Sequence, residues 1–95
     1  MKMVSKFKLA GLNRGGWKAA GFNDTYATVD LPNEDWFHAK IDMNHERLEA
    51  LWKWLADDKE TYANKYCIVE YDDWSSGGVP INPVVKEIIS EDMIY

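Results

Sequence analysis

Tyr26-Ala27-Thr28-Val29-Asp30-Leu31-Pro32-Asn33-Glu34-Asp35-Trp36-Phe37-His38-Ala39-Lys40-Ile41 contains two runs of strict alternation with a turn between them. In the first run Ala27, Val29 and Leu31 share a side, opposite Tyr26, Thr28 and Asp30; in the second, Phe37, Ala39 and Ile41 oppose Trp36, His38 and Lys40. Neighbouring side chains of an extended chain point to opposite faces, so each run reads as a strand with one buried and one outward side. Pro32 fixes φ, and Asn33 and Asp35 can hydrogen-bond their own backbone, which suits Pro32-Asn33-Glu34-Asp35 to a turn. The stretch predicts two paired strands.

C-terminal to it the period changes. Leu48, Leu51, Trp52 and Leu55 recur at i, i+3, i+4 and i+7, Asn44 stands where an N-cap is wanted, and Glu49 and Lys53 form a favourable i,i+4 pair. A helix is predicted from about His45 to Ala56, with Leu48, Leu51, Trp52 and Leu55 facing the core and Trp54 pointing away from that stripe. The polar run Asp57-Asp58-Lys59-Glu60-Thr61 ends it. Tyr66 to Tyr71, rich in β-branched and aromatic residues, is the next strand. Val84 to Ile89 is the last, confined by Pro80 and Pro83 to a start beyond Pro83, or to an edge, because proline cannot donate to a ladder.

N-terminal to the opening stretch, Ser5 to Leu12 alternates with Phe7 and Leu9 on one side and Lys6 and Lys8 on the other. The glycines of Gly11-Leu12-Asn13-Arg14-Gly15-Gly16-Trp17 predict a hairpin loop after it. Three strands, one helix and two strands is the element order of a five-stranded, partly open Greek-key barrel of the OB type, with the helix between strands 3 and 4. The predicted class is all-β to α+β, as a single OB-like domain over residues 1–95.

Composition narrows the functional classes. Cys67 is the sole cysteine, so no intramolecular disulfide forms, and its place in Tyr66-Cys67-Ile68-Val69 suggests a buried thiol in a reducing compartment. No apolar run approaches the roughly 18 residues that span a bilayer, and the N-terminus lacks a signal-peptide pattern, so a cytoplasmic protein without membrane contact is expected. The net charge of −5 is unevenly spread: residues 1–22 carry Lys2, Lys6, Lys8, Arg14 and Lys18 with no acid, whereas residues 23–95 carry six Lys/Arg against 16 Asp/Glu. A basic N-terminal surface on an acidic body is expected.

Val69-Glu70-Tyr71-Asp72-Asp73-Trp74-Ser75-Ser76-Gly77-Gly78-Val79-Pro80-Ile81-Asn82-Pro83-Val84-Val85 resembles the end of the OB domain of ATP-dependent DNA ligases, with Glu70, Tyr71, Ser75, Gly78 and Pro83 in register. Ala39 to Trp54 is similar to the helix region that precedes it, so the likeness covers about the last 60 residues. The family's closing motif of arginine, any residue, aspartate and lysine is missing, for Ile89-Ser90-Glu91-Asp92, or Ser90-Glu91-Asp92-Met93 with a one-residue shift, stands there, and Ile81 replaces a basic residue. Neither Lys53, Lys59, Lys65 nor Lys86 lies in the adenylation setting of lysine, any residue, aspartate, glycine. The resemblance therefore implies a stand-alone OB module without the nucleotidyltransferase domain, and no ligase catalysis.

The outward sides of the first three strands would gather Lys6, Lys8, Tyr26, Thr28, Trp36, His38 and Lys40, with Arg14, Trp17 and Lys18 from the first loop and Trp74 from the last hairpin flanking the same groove. Cations that track phosphates and rings on which bases stack are what single-strand-binding OB surfaces combine. A non-catalytic module related to nucleic-acid transactions is the expected function, taking single-stranded or ligase-type DNA, or a nucleic-acid enzyme, weakly and with strong salt dependence because the acidic body repels a polyanion. The alternative is an acidic protein-binding inhibitor or adaptor that docks on a basic protein surface and uses the barrel as scaffold. No cofactor, metal site or catalytic set is expected: His38 and His45 lie on different elements, and Asp57-Asp58 and Asp72-Asp73 fall in turns.

Overall fold

The computed structural model describes residues 2–14, 25–57 and 62–91. Its elements are β1 (Met3–Asn13), β2 (Tyr26–Asp30), β3 (Trp36–Ile41), α1 (His45–Asp57), β4 (Lys65–Tyr71) and β5 (Val84–Ser90). The five strands form one mixed sheet that closes into a ring in the order β1-β2-β3-β5-β4, giving a small α+β fold. β1 makes closure possible by its length. Its first half pairs antiparallel with β4 from Met3↔Tyr71 to Lys8↔Tyr66, and its second half pairs with β2 from Lys8↔Asp30 to Asn13↔Tyr26. A short parallel pairing, Lys40↔Val84 and Ile41↔Val85, joins β3 to β5.

The predicted β2–β3 hairpin is present, with Thr28↔His38 at its centre. Its loop is a tight turn in which Glu34 N–H donates to Leu31 O (3.2 Å) and Leu31 N–H to Asp35 O (2.8 Å). Glu34, at φ 68°, takes the left-handed position that lets such a three-residue connection match the strand twist. Ahead of α1, Asn44 caps as predicted: its Oδ1 accepts from Arg47 N–H at 2.8 Å and its carbonyl from Leu48 N–H at 3.0 Å.

Alternation carries the core to the inside of the ring. Ala27, Val29, Phe37, Ala39, Cys67 and Val69 are buried from β2, β3 and β4, Val85 and Ile88 from β5, and α1 adds Leu51 and Leu55 to the same cluster. Phe7, Tyr71 and Trp74 meet edge to face, with centroids 5.3 to 6.2 Å apart, and Phe37 lies 5.4 Å from Phe7. Such offset aromatic pairs add to the stabilisation that burial of the rings alone provides. The Tyr71 hydroxyl, carried inward, shares a 2.8 Å hydrogen bond with Ser5 Oγ.

Two expectations change, and one lysine is unexpectedly buried. Gly11 is not the start of a loop but lies within β1, where the register shifts between Leu9 and Gly11. The extra residue of this bulge reverses the alternation, so Leu12 is buried although it has the opposite parity to Phe7 and Leu9. Trp54 does not point away from the core: it is half-buried against it, three residues on from Leu51 and so on a wider apolar face than the stripe alone suggests. Lys65 opens β4 turned inward at 1% exposure, its ammonium donating to Asn64 Oδ1 at 2.6 Å and lying 4.9 Å over the Trp54 ring.

Candidate functional site

The outward face of β1, β2 and β3 is ordered in rows by the strand register. Asn13, Tyr26 and Lys40 form one row, Gly11, Thr28 and His38 the next, and Lys8, Asp30 and Trp36 the third. Polar groups tie the middle together. Asn13 Nδ2 donates to Thr28 Oγ1 at 3.2 Å, and Thr28 Oγ1 shares a hydrogen bond with His38 Nδ1 at 3.1 Å. The imidazole is thereby fixed between two rings: Tyr26 meets it edge to face at 5.1 Å, and Trp36 lies tilted against it at 4.9 Å. Trp36 remains 54% exposed, an indole braced on one side and open to solvent on the other. Lys40 follows on the same face of β3, exposed, with no ion pair among the described residues.

The remaining predicted site residues scatter. Lys8 Nζ donates to the carbonyls of Leu9 (3.0 Å) and Tyr62, and lies 5.7 Å from the Tyr66 ring, so its charge is turned towards β4. Lys6 also rests over Tyr66, at 5.3 Å, but makes no ion pair among the described residues. Arg14 leaves the sheet face for α1, stacking 4.5 Å over Trp52 and pairing with Glu49 at 3.6 Å. Trp74 packs against Phe7 and Tyr71 and is 39% exposed. Trp17 and Lys18 lie outside the described residues. The face thus brings together Tyr26, Trp36, His38 and Lys40, with Lys6 and Lys8 turned to Tyr66 beside it.

Sequence reasoning left three members out of the candidate site. Asn13 donates to the Thr28 hydroxyl that holds the imidazole, Tyr66 receives two lysines, and Asp30 stands between Lys8 and Trp36. Parity was the available signal for Tyr66, since it opposes the inward Cys67. No local pattern could show that Asn13 meets Thr28.

A cleft of about 160 Å³ opens beside this face, lined by Lys6, Phe7, Lys8, Asp30, Leu31 and Pro32. A larger groove of about 270 Å³ runs between α1 and β5 over Met43, Leu51, Trp54 and Ile88, with exposed Arg47 and Glu87 on it. Other charges are spent on one another: Lys86 beside Asp42 holds that carboxyl below its ordinary range, and Lys2 with Asn82 does the same to Asp72. Burial pushes the Cys67 thiol up to about 12, which leaves it protonated and unreactive at neutral pH. Among the described residues no three His, Cys, Asp or Glu side chains come together in a way that could hold a metal ion, and no helix is long and apolar enough to cross a membrane. No protein-family model and no curated protein matches this chain.

Proposed function

We propose that the ring is a five-stranded OB-type Greek-key barrel, and that the chain is a non-catalytic binding module that takes single-stranded nucleic acid on the outward face of β2 and β3. The observation that carries this reading is the Trp36 indole, half exposed and braced by His38, which Tyr26 and Thr28 hold in turn. A ring fixed in this way loses little freedom when a base stacks on it, and such stacks contribute about 1–3 kcal/mol each without demanding a sequence. Lys40 on the same strand supplies a charge for the backbone phosphates. The ring order, with a parallel β3–β5 pairing closing it, and the likeness of Val69–Val85 to the end of a ligase OB domain both support the OB assignment.

Fluorescence anisotropy with labelled single-stranded oligonucleotides at about 50 mM salt tests the proposal, low salt being where a weak electrostatic contribution is largest. Saturable binding is expected, weakened about 5- to 150-fold by Trp36→Ala, the range that one lost stack gives. Absence of binding, or binding that Trp36→Ala leaves unchanged, removes it.

A second reading, an acidic protein-binding adaptor, is favoured by a different observation. Met3, Trp74 and Ile81 are exposed apolar side chains around the β4–β5 connection, beside the acidic pair Asp72-Asp73. On that reading Trp74→Ala abolishes capture of a basic protein partner while Trp36→Ala does not.

A further inference from the structure

Asp30 is an odd residue to find on a surface meant for a polyanion. It is exposed, it sits in register between Trp36 on one side and Lys8 on the other, and it lines the cleft formed with Lys6, Phe7, Leu31 and Pro32. The lysine opposite does not neutralise it, because the Lys8 ammonium is directed at the carbonyls of Leu9 and Tyr62. Among the described residues the Asp30 carboxylate makes no ion pair and no side-chain hydrogen bond. Both its oxygens are available as acceptors at the strand position directly opposite Trp36.

We infer that Asp30 gives the face a base preference: a base stacked on Trp36 presents its Watson–Crick edge to the carboxylate, which accepts from edges rich in N–H donors and disfavours edges rich in carbonyls. Directly opposed residues on neighbouring strands have their Cβ atoms only about 4.5–5.5 Å apart, so an edge that overhangs the indole reaches the next strand. Guanine fits best. Its N1–H and N2–H lie side by side and match the two carboxylate oxygens in a bidentate pair, a geometry that gains strength from the acceptor's charge. Cytosine and adenine offer one amino group beside a ring-nitrogen acceptor and rank next. Thymine and uracil place a single N3–H between two carbonyl oxygens, which meet the carboxylate acceptor to acceptor. The ligand class is therefore a guanine-containing single strand, with the thymine or uracil homopolymer as the poorest ligand.

This inference rests on the single-strand reading above, and the test separates the two. Anisotropy at about 50 mM salt compares an oligothymidine of about eight nucleotides with an alternating thymidine–guanosine strand of equal length. Wild-type protein is expected to bind the guanine-containing strand about fivefold more tightly, the low end for a bidentate base contact that stays exposed to water. Asp30→Asn, at an exposed position, replaces two acceptors by one acceptor and one donor. It should bring the ratio of the two affinities to within about twofold of unity while oligothymidine binding tightens, because a negative charge is lost. Binding of both strands with equal affinity by the wild type overturns the inference and leaves the single-strand reading standing, as does a preference that survives Asp30→Asn. Failure of both strands to bind overturns both.

Discussion

Salt dependence follows from how the cations are arranged and not from how many there are. The chain carries five Lys/Arg in its first 22 residues, yet of the described ones Lys2 is paired with Asp72, Lys8 is donated to backbone carbonyls, and Arg14 is held by Glu49 and Trp52. Lys6 and Lys40 are the outward lysines near the face with neither an ion pair nor a side-chain hydrogen bond among the described residues. Each phosphate neutralised on a single strand contributes about −0.7 to the slope of log affinity against log salt, so two contacts give a slope of about −1.4 and about a sevenfold loss between 50 and 200 mM. Lys40→Ala should flatten the slope by about 0.7, and Arg14→Ala should leave it unaltered. Anisotropy titrations of the wild type and the two variants, at four salt concentrations with one oligonucleotide, measure all three slopes. An unchanged slope in Lys40→Ala, or a flatter one in Arg14→Ala, would show that phosphates follow α1 and not β3, and would refute this account of the site.

Two further outcomes concern the fold that holds the face. Phe7→Ala removes a ring that meets three others and should cost about 3–5 kcal/mol, a large part of the roughly 5–14 kcal/mol expected for a chain of this length, read as a lower urea midpoint with the slope retained. Cys67 sets a pH limit. Its thiol ordinarily titrates at 9.0 and is pushed up to about 12 mainly by burial, so the folded state holds a proton that the unfolded state releases. The stability this gives is full below pH 9.0 and is lost as pH rises towards about 12. The alkaline fall in thermal midpoint should be shallower in Cys67→Ala, and iodoacetamide should label Cys67 at neutral pH only after unfolding.

Local patterns made the inside of the molecule legible and left much of its outside obscure. Period two placed Ala27, Val29, Phe37 and Ala39 inward, and period 3.6 placed Leu48, Leu51 and Leu55. These patterns depend only on neighbours in sequence. The bulge at Leu9–Gly11 broke the rule because one added residue turns every later side chain to the other face, and glycine alone does not distinguish a bulge from a loop. The outward placement of Tyr26, Trp36 and His38 was readable by the same parity, but the engagements of the cations were not. Lys8 meets a carbonyl 54 residues away, and Arg14 meets a helix that follows two further strands. Lys65 was missed for a related reason: parity puts it on the inner side of β4, while its charge argues for the outer, and Asn64 and Trp54 settle the conflict by receiving its ammonium.

The proposed position of the binding face is tested most directly by mapping amide and indole NMR shifts while a single-stranded oligonucleotide is added at low salt. Binding on the outward face of β2 and β3 predicts that the Trp36 indole and the amides of Tyr26, Thr28, His38 and Lys40 move together and saturate at one affinity. Shifts gathered instead along Met43, Arg47 and Trp54, or around Met3, Trp74 and Ile81, with the Trp36 indole still, would contradict it.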